Sequence, residues 1–240
     1  MSAARGWALL LTCEHASAAL PARLRHALPG HEAESRTHRA YDIGALPVAR
    51  ALAGELRAPL IVGTVSRLVV DLNRSPTHPK VVGASFRQLP RREREALLAA
   101  YHKPHWEAVR AALDDLRGRR VLHLGVHSFT PVLVDEAGRR HVRTADLALL
   151  YDSARPEERA VAQRWLKALR QEAPGLRLRR NYPYRGRDDG LTTATRRRLP
   201  ASRYLGFELE INQSLLGNKA PRALVEALVN GLRALGVARG

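Results

Sequence analysis

The sequence predicts an α/β fold, a three-layer α/β/α sandwich around a mixed, largely parallel sheet. Two features carry this expectation. Short apolar runs of strand length recur along the 240 residues, and the segments between them repeat their apolar positions every three or four residues. Strand and helix candidates therefore alternate along the whole chain. No internal repeat, low-complexity tract or linker breaks the alternation, so residues 1–240 read as one domain.

The elements follow in order. Trp7–Thr12 is an uncharged run that stops at Cys13, Glu14 and His15, as a buried strand does at its exit. Pro21–His38 is polar and broken by Pro29 and Gly30, which reads as a loop or short helix. Asp42 is the expected N-cap of a helix that Ile43, Leu46, Ala49 and Leu52 carry to Leu56. Pro59–Val65 is the second strand candidate and runs into Ser66–Arg74, an apolar segment studded with charges. Ser75–Arg87 is a loop long enough to be functional. Gln88–Leu116 is a long helical region that Pro104 should kink or split.

Val121–Val126 is a third strand ending in His127, and Val132–Val142 a hairpin with its turn at Asp135–Gly138. Leu147–Tyr151, a helix over Pro156–Glu172 and a strand at Leu176–Arg180 come next. Asn181–Gly190, NYPYRGRDDG, is rich in turn formers and is the second expected functional loop. Tyr204–Asn212 is the last strand, followed by a helix over Pro221–Leu235 with Pro221 in its first turn.

Composition narrows the function. Hydrophobic residues at 45% exclude a disordered chain. No apolar run is long enough to cross a bilayer, and no charged segment precedes an apolar one at the N-terminus, so the expectation is a cytoplasmic protein without a membrane partner. A lone Cys13 cannot form a disulfide within the chain, and reads as a small buried residue more readily than as a ligand or nucleophile. The net charge of +17 would suit nucleic acid, but all but four of the 40 basic residues are Arg, scattered through helices and loops. That pattern argues against nucleic acid and assigns the charge to solubility and the attraction of anions.

Three clusters bear chemistry. His15 and His127 both stand where strands end, and strand ends on one sheet edge are spatial neighbours. Two imidazoles, a carboxylate and an open position make a catalytic zinc site. The carboxylate is Glu14 or Asp42; neighbours on an extended strand point to opposite faces, which favours Asp42. In Asp71-Leu72-Asn73-Arg74, Arg74 offers a planar fork for a carboxylate and Asn73 a neutral donor, with Arg67 as a second clamp. Glu208 and Glu210 share one face of the last strand, where one of them could serve as a general base. Their plainer alternative is pairing with Arg from Arg177–Arg198.

Taken together, CEHAS at 13–17, YDIGA at 41–45, SRLVVDLNRSP at 66–76, VHSFTP at 126–131, NYPY at 181–184 and FELEINQ at 207–213 resemble the N-formylglutamate amidohydrolase family. The resemblance implies a relative of zinc carboxypeptidases and aspartoacylases, with a zinc-peptidase or phosphorylase-hydrolase type of α/β/α fold and one catalytic metal. His15 and His127 match the metal histidines, with Asp42 preferred as third ligand, and Glu210 matches the catalytic glutamate. Asn73 and Arg74 match the pair that holds the substrate carboxylate. Where members commonly carry proline before the first histidine, this chain has Glu14.

The resulting expectation is a zinc-dependent (or other divalent-metal) amidohydrolase. Metal-activated water would attack the amide of a small anionic N-acyl amino acid such as N-formylglutamate. Glu14, His102, Tyr184 and Glu208 are lesser candidates for the pocket. Two rivals stand beside it: a metallo-carboxypeptidase or peptidoglycan amidase with the same site, and a basic nucleic-acid-binding protein with a vestigial one.

Overall fold

A computed structural model describes residues 6–28, 31–135 and 137–237. Pro29, Gly30 and Glu136, three of the expected loop and turn positions, lie outside those residues. The sheet has six strands in the order β2-β1-β3-β8-β6-β7. They are β1 (Ala8–Cys13), β2 (Leu60–Val62), β3 (Val121–Phe129), β6 (Leu147–Leu150), β7 (Leu178–Arg180) and β8 (Tyr204–Asn212). β1 runs parallel to β2 and β3, and β3 parallel to β8. β6 turns antiparallel to β8 and carries β7 parallel to itself. The sheet is therefore mixed and mostly parallel, as the alternating pattern predicts. β4 (Val132–Val134) and β5 (Arg140–Val142) form a separate antiparallel ribbon at the expected hairpin.

Alternation along the central strands gives the sheet two chemically different faces. Leu9, Leu11, Cys13, Leu122, Leu124, Val126, Leu205, Phe207, Leu209 and Ile211 belong to one buried cluster. The cluster also takes in α2 (Ala45–Leu56), α5 (Pro156–Glu172) and α7 (Arg222–Ala234). Cys13 is on this apolar side, where burial pushes its thiol far up, so it is inert. The opposite parity carries Thr12, His123, His127, Glu208 and Glu210. α4 (Lys103–Asp115) and α6 (Leu191–Arg196) cover part of this second face through Val109 and Leu191, which pack with Leu10 and Val121. The first face supplies the core, and the second supplies the site.

Several elements differ from expectation for identifiable reasons. Within the 88–116 region, Arg91–Asp115 is one continuous helical run: α3 (Arg91–Leu97), a π-turn at Leu98–His102, then α4 with Pro104 in its first turn. The wider π-turn absorbs the N–H that Pro104 lacks, so the helix continues. β3 does not stop at Val126 but extends through His127 and Ser128 to Phe129, because β8 continues beside it to Asn212. Asp42 does not cap α2: Gly44 is the cap, at φ +78°, and the Asp42 side chain turns to the sheet instead. Pro221 precedes α7 as its N-cap rather than sitting in its first turn. The segment 21–38 holds a 3₁₀ turn at Ala22–Ala27 and the short α1 (His31–Ser35). Among the described residues no helix is long and apolar enough to cross a membrane.

Candidate active site

β1 ends at Cys13 and the chain turns at once through Glu14 and His15. The turn lets these neighbouring side chains reach the same end of the polar face, which the opposite-face argument against Glu14 did not allow for. His15, Asp42 and His127 each offer one ligand atom, and these atoms lie within 4.8 Å of one another. All three residues are at most 4% exposed.

The histidines are held by carboxylates on their outer nitrogens. His15 Nε2 donates to Asp71 Oδ1 at 2.7 Å. Glu14 Oε2 stands 3.1 Å from His127 Nε2, close enough for an ion pair although the angles fall outside a hydrogen bond. A carboxylate only accepts, so His15 Nε2 carries a hydrogen toward Asp71 and His127 Nδ1 donates to Asp42 Oδ2; the two Nδ1 atoms turn inward. They are 3.4 Å (His15) and 2.9 Å (His127) from Asp42 Oδ2. His15 Nδ1 is buried without a hydrogen-bond partner. An unpartnered imidazole nitrogen beside a second imidazole and a carboxylate, both rings backed by acids, is a donor set that fits a divalent ion such as zinc.

The charges in the cluster follow from this packing. Burial raises the pKa of Glu14, Asp42 and Asp71, but the neighbouring histidines, with Arg67 at the two aspartates, hold all three well below the usual carboxylate range. Burial and Arg67 pull His15 down, yet Asp71 and Asp42 outweigh them and its pKa ends raised. His127 rises further, because Asp42 and Glu14 both favour its proton against burial. A metal ion held at the inner nitrogens would take the place of that proton.

Glu210 stands opposite His127 in the β3–β8 register. It is 4% exposed, its Oε2 has no partner, and burial lifts its pKa to about 8, with Asp42 and Glu208 adding to the rise and His127 opposing it. Glu208 shares the face, as period-two spacing requires. Among the described residues it pairs with no arginine; Thr192 Oγ1 donates to its Oε1 at 2.9 Å.

A cavity of about 190 Å³ opens over these residues. Its lining brings together His15, Asp42, Arg67, Asn73, Arg74, His127, Tyr184, Glu208 and Glu210 from the sequence-predicted set. Arg67 is already engaged, with Asp42 Oδ1 at 3.1 Å and Asp71 Oδ2 at 3.6 Å, and so acts first as a tie between the site carboxylates. Asn73 Oδ1 accepts from the Leu191 N–H at 2.9 Å, which leaves its NH₂ for the cavity. Arg74 is only loosely tied, 3.6 Å from Asp71 and 3.5 Å from His78. Tyr184 is half exposed on the rim under the Arg143 guanidinium.

His102 does not line the cavity. Its Nε2 donates to the Arg74 carbonyl at 2.7 Å, while Trp106 Nε1 donates to the Leu72 carbonyl at 2.8 Å. The two rings stack at 4.8 Å, so the end of the π-turn and the start of α4 grip the backbone on both sides of Asn73.

Sequence reasoning missed several contributors. Asp71 was legible only as a neighbour of Asn73, and its hold on His15 is a tertiary contact. Ser128, Arg185, Asp188 and Asp189 also line the cavity; the last three come from the turn-rich 181–190 loop, whose composition was the available signal. Beneath the site, Thr12, His123 and Tyr204 join β1, β3 and β8 through contacts of 2.9 and 2.6 Å. Buried Glu158 is satisfied by Arg196 Nε and by the N–H groups of Asp152 and Gly206, which fixes α6 behind Thr192.

Comparison with known proteins places the chain in a family. The gene product Atu2144 of Agrobacterium tumefaciens is similar over 97% of this chain and 89% of its own, at 30% identity and a TM-score of 0.73. The N-formylglutamate amidohydrolase of Ralstonia eutropha is similar in fold over 96% of this chain and 92% of its own, at 18% identity and a TM-score of 0.67. Among proteins of curated function none matches the chain. The sequence pattern of N-formylglutamate amidohydrolases matches residues 7–216, which span the site from His15 to Glu210. The chain belongs to the N-formylglutamate amidohydrolase family.

Proposed function

We propose that this chain is a zinc-dependent amidohydrolase that cleaves the amide bond of a small N-acyl, in particular N-formyl, amino acid. The observation that carries the reading is the convergence of His15, Asp42 and His127 beside Glu210 on the polar face of the sheet. His15 and His127, through their inner nitrogens, and Asp42 would hold the ion. When bound, it supplies Lewis acidity to the amide carbonyl and acidifies water at the site.

The chain's own groups do the rest. Glu210 accepts a proton from the water that adds to the acyl carbon and returns it to the amide nitrogen as the C–N bond breaks, releasing the carboxylic acid and the amino acid. A raised pKa suits a group that must both take and give that proton near neutrality. Arg74 and the Asn73 NH₂ receive the substrate's α-carboxylate, and His102 and Trp106 hold the backbone that presents them.

The cavity, at about 190 Å³, is below the usual range of roughly 300–1,000 Å³ for ligand sites. That favours a small N-acyl amino acid over the longer substrates of a carboxypeptidase or peptidoglycan amidase. Metal analysis of the purified protein, followed by hydrolysis assays on N-formyl and N-acetyl amino acids, tests the reading; metal-independent turnover or none on any of them contradicts it.

A further inference from the structure

We propose that Glu208 selects the substrate by binding an N–H-bearing group, carboxamide or cation, on the amino-acid side chain, so that the preferred substrates are not dianions. The inference rests on the hydrolase reading above and narrows it. Glu208 lies two residues before Glu210 on the same face of β8, and both line the cavity. Only half-buried, it makes no ion pair within the described residues. Its one side-chain hydrogen bond comes from Thr192, on Oε1.

The first turn of α6 sets up a complementary pair of free groups. Leu191 N–H occupies Asn73 Oδ1, and the next residue, Thr192, occupies Glu208 Oε1. What remains toward the cavity is a donor, the Asn73 NH₂, and an acceptor, Glu208 Oε2. Gly125, opposite Glu208 in the register, keeps this floor open: a Cβ there would stand 3.3 Å from His127 Nε2 and 3.5 Å from Glu208 Cγ.

Charge points the same way. The lining holds six carboxylates and three guanidiniums, and Arg67 is committed to Asp42 and Asp71. A dication among the histidines brings the positive charges of the lining to five beside those six carboxylates, so no surplus positive charge awaits a second substrate carboxylate. Arg74 and Arg185 suffice for one carboxylate. A second carboxylate on the substrate would meet Glu208, whereas an ammonium, guanidinium or carboxamide would find its acceptor there.

The test uses the metal-loaded Glu210→Gln protein, which is expected to bind substrates without turning them over. Calorimetric affinities for N-formyl-lysine, N-formyl-glutamine and N-formyl-glutamate are compared with and without Glu208→Gln. The first two are expected to bind at least about tenfold tighter than the third, since like-charge contacts strongly disfavour the wrong ligand. Glu208→Gln should erase or invert that order, and Glu208→Asp, a variant that keeps the charge if the amide disturbs folding, should preserve its sign. Equal or tighter binding of the glutamate derivative, binding of none, or an order indifferent to Glu208 overturns the proposal. Hydrolysis by the wild type with N-formyl-glutamate preferred would retain the hydrolase reading and reject this one; the expected binding order without any hydrolysis would do the reverse.

Discussion

Glu210 and His127 face each other across the β3–β8 pair, and the strand register alone fixes that relationship. The proposed general base and the proposed metal-binding histidine are thereby held on central strands rather than on loops. Slippage of either strand by one residue would send its own side chain of this pair to the apolar face. Replacing Glu210 by Gln keeps the shape and removes the proton acceptor. It is expected to lower kcat by roughly 10²–10⁴-fold, with metal content and folding unchanged; steady-state kinetics beside metal analysis checks this.

Asp71 orients His15 through a 2.7 Å contact to the outer nitrogen. Losing it frees the ring to rotate and lowers the basicity of the inner nitrogen. Asp71→Asn should weaken zinc affinity by roughly 10–100-fold, measurable by competition with a chelator. Unchanged affinity would show that His15 needs no such support.

His102 acts on Arg74 at one remove, through the backbone carbonyl. His102→Leu should raise KM roughly tenfold, the scale of one lost hydrogen bond, with little effect on kcat or zinc content. His102→Gln, which restores a donor, should recover much of the loss. An equal fall in kcat for both variants would assign His102 to general folding instead.

Buried His123 makes stability pH-dependent. Burial lowers its pKa to about 4, so the folded protein keeps it neutral while the unfolded chain takes up a proton below about 6.5. Between those values the unfolded state binds more protons, so stability falls as pH is lowered. From pH 6.5 to 4.5 this amounts to about 2 kcal/mol for His123 alone. The raised histidines, His15 and His127, are largely protonated in both states below that upper limit, and the depressed carboxylates lose their contribution only at lower pH; Glu210, raised to about 8, stabilises the fold as pH falls and so opposes His123. Denaturant unfolding from pH 6.5 to 4.5 should change the stability of His123→Gln about 2 kcal/mol more favourably than that of the wild type, whatever the absolute stabilities.

Much of this was legible in the sequence, and the division has physical causes. Period-two alternation in Tyr204–Asn212 places Glu208 and Glu210 on one face because a strand has no other choice. His15 and His127 could be paired because parallel strands bring their C-terminal ends to one edge. Asp71 and Glu14 could not be assigned as histidine partners, since their contacts span 56 and 113 residues and depend on how turns are set. α6 escaped notice because it is six residues long, half of them Thr, and has no side-chain cap. It is held by the buried Glu158–Arg196 pair rather than by any apolar stripe. Within Val121–Val126, His123 reads as an interruption in an apolar run; the network through Thr12 and Tyr204 explains why it is tolerated.

Zinc content and its dependence on the two histidines test the central claim most directly. Wild-type protein loaded with zinc and freed of excess should retain about one ion per chain, the complement of a single two-histidine, one-carboxylate site. His15→Ala and His127→Ala should retain essentially none and hydrolyse no N-formyl amino acid. A folded His15→Ala or His127→Ala protein that keeps its zinc, or works without it, would contradict the account.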